Sequence, residues 1–405
     1  MTLIRLDRPG AALVGTRCGD GPTVLLLHAG GERRTVWKPI AELLVANGHQ
    51  CVAYDLRGHG DSGATGADEL PTHAQDVAAM IAAEPYPLTV VGASLGGLAG
   101  LLALELPDVV GKVASVVLVD VVPHLDRDRA RAFLNGVGHG YADRPLVLDI
   151  LDRRRPRLEA ATSSLSGVPT AVVRAERSAV ADEDCARFSG QVPHAAFATV
   201  AGAGHLVARD APAVLAGVLQ QHLQAAPVRR RRTDWLLARC GVNDVPHPGG
   251  TLGAHLDRTG DMLAAWRAKA WVVDAGRLHA AYGTDGFAHG FPGVSSAAVR
   301  AVAGAEAERL IDLYGRCDRA RSYPTFLTDS PSIIDRQTSE AHTLSLEQVK
   351  AFAELTAANE LDVLAHCPSL MAEHGPDLSR LFRRWEPLLS PGAREACSEL
   401  PETRH

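Results

Sequence analysis

Three short segments of this 405-residue sequence carry residue types suited to acyl chemistry. Gly92-Ala-Ser94-Leu-Gly96 follows the apolar run Leu88–Val91 and precedes a stretch rich in Leu, Ala and Gly. A serine between a strand and a helix sits on a sharp, strained bend. Small residues two positions to either side avoid clashes there, and the hydroxyl is presented above the sheet edge. The following helix adds its N-terminal dipole and free N–H groups where an oxyanion would develop. Upstream, the apolar run Thr23–Leu27 ends in His28-Ala-Gly-Gly31, a glycine-rich turn whose amides can approach a substrate. It reads either as the second oxyanion donor, Ala29 or Gly30 beside Leu95, or as a tight turn alone. Downstream, Ala201-Gly-Ala-Gly-His205 follows the last strand-like run, and His205 alone among 17 histidines holds that position. Its imidazole can accept the Ser94 proton and return it to a leaving group.

These residues need a scaffold of alternating elements. Short β-rich runs at Thr23–Leu27, Gln50–Tyr54, Leu88–Val91, Val113–Val119, Thr170–Arg174 and Phe197–Val200 alternate with helical spacing at Trp37–Asn47, His73–Ala83, Leu95–Leu104 and Ala211–Leu223. That pattern predicts a parallel α/β sheet covered on both faces. Beyond Ala225-Ala-Pro-Val-Arg-Arg-Arg-Arg-Thr the strand-like runs almost vanish, and the sequence predicts an all-α second domain. The expected division is residues 1–226, an Arg-rich solvated linker at 227–234, and residues 235–405.

With these motifs in place, the first half resembles the α/β-hydrolase superfamily of esterases, lactonases and carbon–carbon hydrolases. Asp55-Leu-Arg-Gly-His-Gly-Asp-Ser62 matches a turn that recurs there. The resemblance covers about residues 5–225 and implies a serine hydrolase or acyltransferase with a short cap, working through a Ser94 acyl-enzyme without a cofactor. It also implies a carboxylate after the strand Thr170–Arg174, where Arg177-Ser178 is followed by Ala179 instead. Asp120, at the end of Val113–Val119, is the expected substitute, with Glu176, Asp182 and Asp184 as fallbacks; Asp120 also reads as a turn cap. The cap between Asp120 and Thr170 carries Arg127, Arg129, Arg131, Arg144 and Arg153–Arg155. These either meet an acidic substrate or form solvated helix faces, and a lid this short is expected to leave the pocket open.

In the second half, His255 and His279 followed by Asp318 resemble the ligand spacing of HD-type metal-dependent phosphohydrolases and their oxygenase relatives, over roughly residues 235–365. The resemblance implies a divalent metal in a helical bundle. The adjacent aspartate of that pattern is absent, since Ala280 follows His279. His289, Asp285 and His342 are replacement candidates, and Asn359-Glu-Leu-Asp362 adds polar groups to an apolar helix, lining a pocket or satisfying the bundle interior. The alternatives to a serine hydrolase are therefore metal chemistry in this half, or a binding and assembly protein that has lost catalysis.

Bulk properties bound these readings. A composition of 46% hydrophobic and 22% charged residues predicts a soluble globular chain. Net charge of −6 gives no attraction to nucleic acid or anionic lipid. No apolar run approaches membrane-spanning length, and the start Met1-Thr-Leu-Ile-Arg-Leu lacks a secretory pattern. Seven scattered cysteines, none in a CxxC pair, argue for reduced thiols. The expected setting is cytoplasmic and the expected partner a small-molecule substrate, with homo-oligomerisation left open.

Overall fold

The computed structural model describes residues 1–64, 68–137, 141–285, 287 and 289–401. The chain divides into two compact units, Met1–Arg232 and Thr233–His405.

The first unit is built on an eight-stranded sheet: β1 (Thr2–Arg8), β2 (Ala11–Cys18), β3 (Thr23–Leu27), β4 (Gln50–Tyr54), β5 (Leu88–Ala93), β6 (Val113–Val119), β7 (Thr170–Ala175) and β8 (Ala196–Val200), in the order β1-β2-β4-β3-β5-β6-β7-β8. From β4 to β8 the pairing is parallel, while β1 and β2 form an antiparallel hairpin on the β4 edge. Thr23–Leu27 shows why the centre holds. All five residues are buried, Val24 and Leu26 packing into one apolar cluster and Leu25 and Leu27 into the other. A period of two thus feeds both faces, and each fully buried aliphatic side chain stabilises by roughly 1.5–3 kcal/mol. Helix α1 (Lys38–Ala46) contributes Ile40 and Leu44 to the first cluster, while α2 (Leu70–Ala83) and α3 (Leu95–Ala103) contribute Val77 and Leu101 to the second. Strand order reverses direction at β3, so a crevice opens at the C-terminal ends of β3 and β5, where open α/β sheets place their sites.

Between β6 and β7 the cap includes helix α4 (Arg127–Val137) and the shorter helices Pro145–Leu148 and Arg155–Ala161. Helix α5 (Asp182–Gln191) follows β7, and α6 (Pro212–Leu223) follows β8.

The expected linker at 227–234 is instead part of a helix, α7 (Ala226–Arg239). Its arginines are used for packing: Arg229 and Arg232 are buried, and Arg231 donates to the carbonyls of Val113, Gly167 and Val110. A guanidinium with several donors in a fixed fork suits such a set of carbonyl oxygens.

The second unit is mainly helical, with α8 (Leu252–Ala265), α9 (Ala270–Leu278), α10 (Ser296–Ala303), α11 (Ala305–Arg316), α12 (Leu346–His366) and α13 (Pro368–Arg384) as its longer elements. Helix α12 starts at a capping box, with Ser345 and Gln348 satisfying each other's backbone amides. The all-α expectation misses two small antiparallel pairs, Pro246–His247 with Gly250–Thr251 and Ser332–Ile334 with Ala341–Thr343. Among the described residues no helix is long and apolar enough to cross a membrane, and all seven cysteines are free thiols.

Candidate active site

Ser94 stands between β5 and α3 with φ 45° and ψ −111°, a strained backbone for a residue with a side chain. The glycines around it are required by contact. A Cβ on Gly92 would lie 2.5 Å from Gly97 Cα, and one on Gly96 would lie 2.6 Å from the Leu27 carbonyl oxygen. The Ser94 amide donates to Val119 O at 3.1 Å and its carbonyl accepts from Leu98 N at 3.0 Å, so the bend is tied to both β6 and α3.

Asp120 follows β6 directly, also at positive φ (51°), and its side chain is fully buried. One carboxylate oxygen accepts from the Ala175 amide at 2.7 Å, and the other lies 2.8 Å from His205 Nδ1. A carboxylate held this way fixes the imidazole tautomer with Nδ1–H toward Asp120 and leaves Nε2 as the basic nitrogen. His205 is one-fifth exposed, and the Phe133 ring packs edge-on against it, centroids 5.0 Å apart.

The three fallback acids are engaged elsewhere. Glu176 accepts from the Gly202 amide at 2.7 Å, bracing the turn before His205. Asp182 pairs with Arg174, and Asp184 pairs with Arg129 and accepts from the Ala181 amide.

Gly30, Ser94, Leu95, Asp120 and His205 line one cavity of about 110 Å³. Of the two residues weighed at the β3 turn, Ala29 does not line it, and its amide faces Glu32 Oε2 at 3.4 Å. The Ala29 carbonyl accepts from His28 Nδ1–H at 2.8 Å, and His28 Nε2 in turn accepts from the Leu56 amide at 2.9 Å. Because a trans peptide points its carbonyl and N–H in opposite directions, this contact turns the Gly30 N–H away from His28. Burial lowers the His28 pKa to about 4, so the ring that sets this peptide is neutral.

The Asp55–Ser62 turn is structural. Arg57 forks onto Asp76, Arg34 and the Asp61 amide meet the Asp55 carboxylate, and Ser62 Oγ donates to Asp55 O.

The rest of the cavity is apolar, with Leu98, Val121, Phe133, Leu134, Val147 and Ile150 among its walls. Of these, Phe133, Leu134, Val147 and Ile150 come from the cap. Five of its arginines pair with acids: Arg127 with Asp152, Arg129 with Asp184, Arg131 with Asp143, Arg154 with Asp149 and Glu69, and Arg155 with Glu159.

In the second unit the structure brings His255 and His279 together but leaves Asp318 out. Asp318 caps the helix Arg319–Ser322, accepting from the Arg321 amide. Asp285 accepts from the Arg319 amide, His289 meets Phe287 edge-on, and His342 pairs in register with Ile333. His255 instead meets Asp362 at Nδ1 and Asn359 at Nε2, and the His247 ring stacks on it with centroids 4.2 Å apart. The sequence signal of Asn359 and Asp362 is an i, i+3 polar pair on an otherwise apolar helix, which also fits mere interior satisfaction. Among the described residues no group of three or more His, Cys, Asp or Glu is arranged to hold a metal ion.

Comparison with known proteins adds the following. A family model described as the alpha/beta hydrolase fold matches residues 22–146, and one described as a domain of unknown function (DUF6817) matches residues 236–319. A protein of Variovorax paradoxus (strain S110) named as the carbamate hydrolase RutD is 32% identical over 249 residues, covering 57% of this chain and 85% of that protein. An esterase of Mycobacterium tuberculosis is 38% identical over 109 residues, covering 26% of this chain and 35% of the esterase. Bovine protein phosphatase methylesterase 1 is 30% identical over 124 residues, covering 29% of this chain and 32% of that enzyme. The chain thus spans about a third of the length of the latter two. A solved thermophilic esterase from Thermogutta terrifontis aligns with TM-score 0.43 at 19% identity, covering 57% of this chain and 100% of that one. With a match over most of the RutD protein and a family model over the first unit's core, the chain belongs to the α/β-hydrolase family.

Proposed function

We propose that the first unit is a serine hydrolase that forms an acyl-enzyme at Ser94, with His205 as base and then acid and Asp120 as the group that orients it. The carrying observation is the buried Asp120–His205 pair facing the same cavity as a serine on a strained strand-to-helix bend. His205 Nε2 takes the hydroxyl proton as Oγ bonds to the substrate carbonyl carbon. The Gly30 and Leu95 amides receive the oxyanion, and His205 returns the proton to the departing group. Water then repeats the sequence on the acyl-enzyme and releases the acid.

The reading that catalysis was lost rested on the missing carboxylate after β7 and the missing aspartate after His279; a buried carboxylate at the end of β6, 2.8 Å from His205 Nδ1, speaks against the first of these grounds. The cavity walls favour a short, uncharged acyl group, since an ionised one would leave water for aliphatic walls with no paired charge. The names of the relatives, carbamate hydrolase, esterase and methylesterase, share attack at a carbonyl carbon.

The test is hydrolysis of p-nitrophenyl butyrate against the p-nitrophenyl monoester of succinate. The proposal expects kcat/KM at least ~10-fold higher for the butyrate, and a loss of roughly 10³-fold or more in Ser94→Ala. Undiminished turnover in folded Ser94→Ala overturns it.

A further inference from the structure

The second unit contains a cavity of about 350 Å³ that the hydrolase chemistry does not use, and neither His255 nor His279 lines it. Helices α12 and α13 and the segment Arg319–Tyr323 enclose it. Val363 on α12 and Leu370, Leu378 and Leu381 on α13 form an apolar wall, and all four are only half-buried. Arg319, Tyr323 and Glu360 supply the polar groups at the other end.

The two charges at this end cancel. Arg319 Nη1 donates to Glu360 Oε1 at 2.6 Å, and its Nη2 reaches the Tyr314 hydroxyl at 3.4 Å, with the guanidinium 5.6 Å from the centre of that ring. Glu360 Oε1 also accepts from Asn359 Nδ2 at 3.0 Å, so both contacts fall on one oxygen and Oε2 keeps its capacity to accept. At the exposed rim, Asp377 pairs with Arg380, and His374 lies 3.7 Å from Glu373. An ionised ligand would leave water here without finding an unbalanced charge.

Tyr323 is the group left over. Its hydroxyl is buried and has no hydrogen-bond partner among the described residues. Burial pushes the phenol well above its usual range, against the pull of Arg319, so it keeps an O–H to donate, and Glu360 is close enough to act on the same phenol. The ring is held in place by Trp385, edge-on with centroids 4.7 Å apart, and by Phe326 at 5.6 Å. A buried donor without an acceptor is costly, and the open side from which an acceptor can come is the cavity.

We propose that this cavity binds a neutral organic molecule with an apolar body and one hydroxyl group, the hydroxyl accepting from Tyr323 and donating to Glu360. A hydroxyl does both at one atom. A carboxylate only accepts and meets Glu360 as a like charge, while an ammonium only donates and leaves Tyr323 unanswered. The body covers the half-buried aliphatic side chains of α12 and α13, and removing that surface from water supplies most of the affinity.

The test titrates full-length protein carrying ¹³C-methyl-labelled leucine with 1-hexanol, hexanoate and hexylamine, and follows the Leu370, Leu378 and Leu381 methyl signals by NMR. These signals report the cavity directly, so binding elsewhere in the chain does not enter. The proposal expects saturable shifts with hexanol, at an affinity at least about 10-fold higher than for either ion. Tyr323→Phe removes only the unpartnered hydroxyl, and it should keep the fold by circular dichroism while weakening hexanol about fivefold. Absence of saturable shifts with hexanol, tighter binding of either ion, or equal hexanol affinity in folded Tyr323→Phe overturns the proposal and leaves a hollow whose hydroxyl is met by water. If Tyr323→Phe does not fold, the ranking of the three probes on the wild-type chain decides. Reactivity of Ser94 plays no part in these readouts.

Discussion

His205 and His255 are held in the same way and face different company. Each has its Nδ1 against an aspartate, at 2.8 Å for Asp120 and 2.6 Å for Asp362. Asp120 completes its shell with a backbone amide, whereas Asp362 takes the guanidinium of Arg258, and its carboxyl is lowered to about 2, with hydrogen bonds from His255 and Arg258 outweighing burial. The larger difference lies at the other ring nitrogen. His205 is partly exposed in a cavity shared with Ser94, while His255 is sealed against a second imidazole and an amide oxygen. An aspartate contact at Nδ1 thus leaves the surroundings of the other ring nitrogen as the difference between the two histidines: a cavity beside His205, protein atoms beside His255.

The sharpest break in this comparison is Asp120→Asn. Asparagine tolerates positive φ and can still accept from the Ala175 amide, but it presents the wrong partner to His205. We expect a loss of about 10³–10⁴-fold in kcat with an unchanged melting temperature. Glu176→Gln, by contrast, should change kcat less than about threefold, and the reverse ranking would move the orienting role to β7.

In the second unit, Arg258→Ala should destabilise by about 1–3 kcal/mol in denaturant titration, because it strips one partner from a buried carboxylate. It should leave esterase turnover untouched. A change in turnover would mean that the two histidine sites are not independent.

The smallest expected effect concerns pH. Burial lowers His222 to about 4, and His28 and His49 fall to about 4 as well. An unfolded histidine takes up its proton near 6.5 while these folded ones do not. Their stabilising share is thus present above about 6.5 and lost as pH falls toward 4. His222→Phe removes one such group and should flatten the decline in denaturation midpoint between pH 6.5 and 4.5, and an unchanged slope would contradict this reading.

Much of the first unit was legible because its signals are local. The central strands are apolar runs buried on both faces, and the Ser94 bend is written in glycines two residues away. Asp120 could be singled out as an acid at a strand end next to β5. The hairpin β1–β2 was not legible, since β1 is an edge strand with mostly exposed or half-buried side chains, so no apolar run marks it. The arginines at 229–232 misled because a charge run looks the same in a linker as in a helix whose guanidiniums reach distant strand-end carbonyls. In the second unit, His255 and His279 stood out as residue types, but their partners lie about a hundred positions away on α12. Spacing between neighbouring helices pointed to Asp318, and only the packing of α8 against α12 brings Asp362 and Asn359 to His255.

The most direct test of the central claim is intact-mass analysis of the wild-type chain after reaction with a fluorophosphonate, followed by peptide mapping. The account predicts one adduct per chain, located on Ser94, with the rate of labelling falling sharply in His205→Ala. Adduct on another residue, or equal labelling when His205 is replaced, would contradict it.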